Sequence, residues 1–81
     1  MVKVRKGVDL KEFEKFGFVE NSNNQYVYIR KIGNKVVYRA YITPKSKYLM
    51  IDVFAPAQIA GRLQTLIYDL TIAGLIEKEE D

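Results

Sequence analysis

The chain has 81 residues, 48% of them hydrophobic and 12% aromatic, which suffices for one domain with one modest core. It contains no cysteine and no histidine, so a disulfide framework is excluded and the commonest nucleophile, general base and transition-metal ligands are missing. We therefore expect a single domain over residues 1–81 that is not an enzyme and has no cofactor, metal or small-molecule substrate. No apolar run approaches the length of a membrane span, and no hydrophobic segment follows the basic start. These features predict a cytoplasmic protein without a membrane partner.

The net charge of +3 is unevenly distributed along the chain. Residues 1–47 hold eleven of the thirteen Lys and Arg but four of the ten Asp and Glu, whereas residues 77–81 are strongly acidic. We expect a solvated acidic tail, ordered or disordered, that balances the basic half. Two alternatives are nucleic-acid affinity in the basic half and a tail that discourages such affinity.

A short helix is predicted to begin after Asp9 and to end at Gly17. Asp9 is a candidate N-cap, and Glu12 three residues later would complete a capping box. Gly17 is expected to adopt the left-handed conformation, with Phe18 folding back on Phe13. Before this helix, the alternation of residues 2–5 allows a short edge strand.

A three-stranded antiparallel meander is predicted from residues 25–32, 35–43 and 48–54, which are rich in β-branched and aromatic residues. Gly33-Asn34 between the first two runs is typical of a two-residue hairpin, and residues 44–47 form the second loop. A further short strand at residues 18–20 would place Phe18 opposite Val27.

The hairpin at Gly33-Asn34 also predicts a register, in which Ile32 lies opposite Lys35 and Val27 lies opposite Ala40. Because side chains alternate along a strand, this register divides the meander into two faces. The apolar face would carry Val27, Ile29, Val36, Tyr38, Ala40, Ile42, Leu49, Ile51 and Val53. The other would carry Tyr26, Tyr28, Arg30, Val37, Arg39, Tyr41, Met50 and Asp52, with Arg39 opposite Asp52.

A second helix is predicted from Pro56 to about Ala73, ending at Gly74. Its apolar residues recur at steps of three and four and predict a buried stripe. That stripe consists of Ile59, Leu63, Leu66, Ile67 and Leu70.

The predicted fold class is therefore α+β, a two-layer sandwich of order α-β-β-β-α around an antiparallel meander sheet. Both helices are expected on one face, because the apolar sheet face is the surface that can receive their stripes. Short extra strands are allowed at both ends.

Two segments carry a resemblance to known proteins. Residues 6–18, KGVDLKEFEKFGF, and residues 66–78, LIYDLTIAGLIEK, resemble the ends of small uncharacterised proteins encoded by phages and prophages of Gram-positive bacteria. The resemblance implies a phage accessory role of unknown activity.

The second sheet face is the candidate interaction surface, because Tyr and Arg are enriched where proteins bind partners. The candidate binding residues are Tyr26, Tyr28, Arg30, Arg39, Tyr41, Tyr48 and Met50. Three interpretations remain open at this point. The tyrosines could merely suit a half-exposed sheet. The surface could mediate protein association, as a homodimer or with a host protein. It could instead bind nucleic acid, together with the basic loop at Lys45 and Lys47.

Overall fold

The computed structural model describes residues 2–54 and 57–79, with side chains described for residues 2–54 and 63–79. These residues form six strands, one 3₁₀ helix and one α-helix. The strands are β1 (Val2–Val4), β2 (Val19–Glu20), β3 (Tyr26–Ile32), β4 (Lys35–Ile42), β5 (Leu49–Val53) and β6 (Ile76–Lys78). The 3₁₀ helix spans Leu10–Phe16, and the α-helix, α1, spans Ala57–Ile72.

The strands form two antiparallel sheets. One has four strands in the order β2-β3-β4-β5, and the other pairs β1 with β6. The pairing of Val2 with Lys78 and of Val4 with Ile76 joins the two ends of the described chain. A bridge between Lys3 and Tyr48 links β1 to the start of β5.

The predicted order α-β-β-β-α and the two-helix sandwich are wrong. Within the described residues α1 is the one α-helix, and the element order begins with β1 and ends with β6. The predicted first helix is a seven-residue 3₁₀ helix in which Phe13 is the buried residue. So short a segment gains too few α-helical hydrogen bonds to offset the cost of nucleation.

The helix ends follow the predicted chemistry in part. Asp9 accepts a hydrogen bond from the Lys11 backbone N–H at 2.9 Å, which confirms it as the N-cap. Gly17 is left-handed with φ 95°, and the Phe18 N–H donates to the Phe13 carbonyl. The predicted capping box is wrong, because the Glu12 carboxylate accepts from the Lys15 ammonium instead.

Both hairpin loops of the meander form where the sequence predicts them. Ile32 pairs with Lys35 across Gly33-Asn34, and Ile42 pairs with Leu49 across the second loop. The predicted partner of Phe18 is wrong, because Val19 is the residue that pairs with Val27.

A β-bulge at Val37 changes the register of the first hairpin. Lys31 pairs with Val36, but the next pair is Arg30 with Tyr38, so Val37 has no partner in β3. Val37 and Tyr38 are both buried, 3% and 2% exposed, so these consecutive residues lie on the same side of the sheet. An extra residue on one strand of an antiparallel pair is the defining feature of a bulge.

The bulge inverts the predicted faces of β3. Tyr26 pairs with Ile42 and Tyr28 with Ala40, so both tyrosines share the buried side with residues of β4. For residues 38–42 of β4 and for the whole of β5, the predicted assignment of side chains to the two faces is confirmed. A register change of one residue moves every side chain of a strand to the other face.

The core lies on this side of the four-stranded sheet, which we call the covered face. It is defined by Tyr26, Tyr28, Arg30, Tyr38, Ala40, Ile42, Leu49 and Ile51. Phe13 and Phe18 contact it through a chain of aromatic rings, Phe13–Phe18 at 5.4 Å and Phe18–Tyr28 at 5.6 Å between centroids. Leu63, Leu66 and Leu70 of α1 are buried in the same core.

Several predictions fall on residues with no described side chain. Ile59 of the expected stripe lies among them, and Pro56 and residues 80–81 of the acidic tail lie outside the described residues. Glu77 and Lys78 are part of β6, and Gly74 ends α1 with φ 78°.

Across the described ranges, no helix combines the length and apolar character needed to traverse a bilayer.

Candidate functional site

The side of the four-stranded sheet opposite the core forms the candidate site, and we call it the open face. It is defined by Val19, Val27, Ile29, Arg39, Tyr41, Met50 and Asp52. One row across the sheet runs from Val19 through Val27 and Tyr41 to Met50, and the next joins Ile29 with Arg39 and Asp52. Along each strand these residues alternate with residues of the covered face, so their side chains point to the opposite side of the sheet.

The open face is largely apolar and exposed. Val19 is 68% exposed and Ile29 is 50% exposed, and Met50 is also exposed. Val27 and Tyr41 between them are half-buried by their neighbours. A contiguous exposed apolar patch of this kind is uncommon on a surface that meets only water.

One ion pair on the open face joins β4 to the edge strand β5. The Arg39 Nη2 donates to the Asp52 Oδ2 at 2.6 Å, and both side chains remain partly exposed. The Arg39 guanidinium also lies over the Tyr41 ring, 5.3 Å from its centroid. The pair neutralises the charge of both groups and keeps the tyrosine ring beside them.

A shallow depression of about 710 Å³ lies at the β2 end of the open face. Val27, Ile29 and Tyr41 provide apolar lining, and Glu20 and Gln25 provide polar groups. Apolar surface accompanied by polar groups is the usual composition of a protein-binding patch.

The structure places the predicted binding residues in three locations. Arg39, Tyr41 and Met50 lie on the open face as predicted. Tyr26, Tyr28 and Arg30 lie on the covered face, because the bulge at Val37 shifts β3 by one residue relative to the predicted register. Tyr48 is half-buried and bridges to Lys3 of β1.

The displaced tyrosines contribute to the core instead. Tyr28 stacks on Tyr38, with centroids 5.9 Å apart and an interplanar angle of 16°. Burial raises the pKa of the Tyr26 hydroxyl above its usual value of 10.0, and the acidic groups of Glu20, Glu14 and Asp9 act in the same direction. These contacts stabilise the fold.

The sequence-based reasoning missed Val19, Val27 and Ile29 as surface residues. Strand β3 reads Tyr-Val-Tyr-Ile, so it is apolar on both faces and either register buries apolar side chains. One signal was present: Val36, Val37 and Tyr38 are three consecutive apolar residues, which breaks strict alternation and is consistent with a bulge.

The site offers no donor set for a metal. The chain has no histidine or cysteine, and among the described residues no three acidic side chains cluster closely enough to hold a cation. The chemistry of the open face is therefore that of apolar contact, one neutralised ion pair and the Tyr41 hydroxyl.

In comparisons with known proteins, no family model matches this chain, and no curated protein or solved structure is significantly similar to it.

Proposed function

We propose that this protein acts in the cytoplasm as a non-enzymatic association module, and that its open face binds a second copy of the chain. The observation that carries the proposal is the uncovered apolar surface formed by Val19, Val27, Ile29, Tyr41 and Met50. A sheet with one covered face normally carries polar residues on the other. When another surface covers these apolar residues, their removal from water lowers the free energy of the system.

The size of the open face fits a weak dimer. Strands of two, seven, eight and five residues, at a rise of about 3.4 Å per residue and a spacing of about 4.8 Å, give roughly 360 Å² of flat area per copy. Two copies would bury on the order of 700 Å², which is below the size of stable specific interfaces and fits weak, transient association. We therefore expect reversible association in the micromolar range.

The charges on the open face suit a two-fold arrangement. A two-fold interface brings the same patch of both copies together. A two-fold axis beside this pair would bring Arg39 of one copy close to Asp52 of the other, while each also keeps its own partner at 2.6 Å. The pair carries no net charge, so two open faces do not repel each other.

The same observations favour a protein over nucleic acid. The nucleic-acid alternative needs aromatic rings for stacking and cations for phosphates on one surface. Tyr26, Tyr28 and Arg30 lie on the covered face, and Arg39 is already paired with Asp52. The open face keeps Tyr41 as a stacking platform but little positive charge beside it.

An accessory role in a phage or prophage belongs to this proposal. Its support is the resemblance of residues 6–18 and 66–78 to such proteins. A host protein with a complementary apolar surface would use the same open face.

Sedimentation velocity between about 1 and 100 µM, the range that contains a micromolar dissociation constant, tests self-association. The natural chain should shift from monomer to dimer, and Ile29→Glu should remain monomeric because it places an unpaired charge in the interface. Ile72→Glu is the matched control, since Ile72 is 67% exposed on α1, away from the open face. It should dimerise like the natural chain.

A natural chain that stays monomeric throughout this range would contradict the dimer. Equal effects of the two substitutions would also contradict it, because association would then not depend on the open face.

A further inference from the structure

A groove on the covered side of the sheet lies between β3, β4 and α1. Its volume is about 430 Å³. Phe16, Tyr28, Tyr38 and Leu66 give it apolar walls, and Arg30 and Asp69 give it one charge of each sign. This volume falls within the range of small-molecule sites.

Arg30 is the distinctive residue of the groove. Its Nε atom is shielded from solvent and has no hydrogen-bond partner among the described residues. Arg30 also takes part in none of the ion pairs within 4.0 Å that the described side chains form. A buried guanidinium N–H without an acceptor is costly, and such groups in folded proteins call for an explanation.

Asp69 lines the same groove from α1. Its backbone carbonyl accepts from the Ala73 N–H, whereas its carboxylate forms no ion pair within 4.0 Å with any described side chain. A guanidinium and a carboxylate thus line one groove without meeting, which leaves both available to a bound molecule.

We propose that this groove binds a small zwitterion, an α-amino acid with an aromatic or large aliphatic side chain. The guanidinium of Arg30 matches the planar geometry of a carboxylate and donates to it. The Asp69 carboxylate accepts from the ammonium group and repels a ligand that carries only negative charge. The side chain of the ligand packs against Phe16, Tyr28 and Leu66, which provide the apolar and aromatic surface of the groove.

The test titrates the ¹⁵N-labelled full chain with L-phenylalanine and follows backbone amide shifts. Saturable shifts are expected around residues 28–30 and 65–69. Two part-ligands separate the two charges: 3-phenylpropionate has the carboxylate alone, and 2-phenylethylamine has the amine alone. Each should bind at least about tenfold more weakly than L-phenylalanine, because one charge-assisted hydrogen bond is lost.

Variants assign the charges to residues. Arg30→Gln and Asp69→Asn should each weaken binding of L-phenylalanine at least about tenfold. Lys31→Gln is the matched control, since it removes one positive charge beside Arg30 at an exposed position and should leave binding unchanged. Because Asp69 is exposed, Asp69→Asn tests the site even if Arg30→Gln fails to fold.

Three results would overturn the proposal. The first is an absence of saturable shifts with L-phenylalanine. The second is a part-ligand that binds as tightly as L-phenylalanine. The third is an equal loss of L-phenylalanine binding in Lys31→Gln and Asp69→Asn. The outcome is independent of dimerisation, since the groove and the open face lie on opposite sides of the sheet.

Discussion

Tyr28 stacks on Tyr38 on the covered face, with ring centroids 5.9 Å apart and planes 16° from parallel. The residue that pairs with Tyr28 is Ala40, which lies two residues after Tyr38 on β4. The stack of Tyr28 on Tyr38 is therefore a diagonal contact between neighbouring strands. Phe18 contacts the Tyr28 ring as well, at 5.6 Å between centroids. These aromatic contacts hold β3 in the register that places Ile29 on the open face.

Gly17→Ala should destabilise the fold through the same tyrosine. A Cβ at Gly17 would lie 2.9 Å from the Cε2 atom of Tyr28, and Gly17 has φ 95°. We expect a loss of about 2–4 kcal/mol in the free energy of unfolding, from left-handed strain plus overpacking. Urea denaturation followed by circular dichroism measures it.

Gly7→Ala is the matched control for this substitution. Gly7 has φ 86° but no atom within 4 Å of an added Cβ, so it isolates backbone strain at about 1–2 kcal/mol. Equal losses at Gly7 and Gly17 would show that contact with Tyr28 contributes nothing.

Alkaline pH should destabilise the protein through Tyr26. Burial raises the pKa of its hydroxyl above 10.0 in the folded state, so folding favours the protonated form. That stabilisation is fully present below the unfolded-state pKa of about 10 and is lost as pH rises through the higher folded-state pKa. Urea denaturation at a series of pH values from neutral to alkaline measures it.

Tyr26→Phe should make this alkaline loss of stability smaller, because the substitution removes the hydroxyl that titrates. An identical pH dependence in the natural chain and in Tyr26→Phe would rule out Tyr26 as its source.

The Arg39–Asp52 pair should contribute little to the stability of the monomer. Both side chains are partly exposed, 46% and 39%, so solvent screens the 2.6 Å contact. A double-mutant cycle with Arg39→Ala and Asp52→Ala, measured where the chain is monomeric, should give a coupling of about 0.5 kcal/mol. The coupling should fall in about 1 M salt.

A coupling of several kcal/mol that persists in high salt would contradict this assignment. It would mean that the pair is shielded from solvent even in the monomer.

The loops and caps of this fold could be predicted from local sequence. Gly17, Gly74 and the Gly33-Asn34 turn all lie where residue chemistry places them, because each needs only a few neighbouring residues. Asp9 caps the 3₁₀ helix for the same reason. The pairing of β1 with β6 joins residues more than seventy positions apart, and no local signal specifies such a contact.

The face of β3 could not be read from alternation alone. Tyr26 and Tyr28 are amphipathic, and Val27 and Ile29 are apolar, so both registers offer an apolar core. The bulge at Val37 decides between them, since it buries two consecutive residues of β4 and shifts the pairs beyond it. The faces of the β4 and β5 residues beyond the bulge were therefore predicted correctly, and those of the β3 residues incorrectly.

The most direct test of this account is the pattern of interstrand nuclear Overhauser effects between β3 and β4 in the natural chain. The structure predicts cross-strand contacts of Val27 with Tyr41 and of Ile29 with Arg39, which place both apolar residues on the open face. Contacts of Val27 with Ala40 would instead show an unbulged register. They would move Val27 and Ile29 into the core and contradict the open face on which the proposed dimer depends.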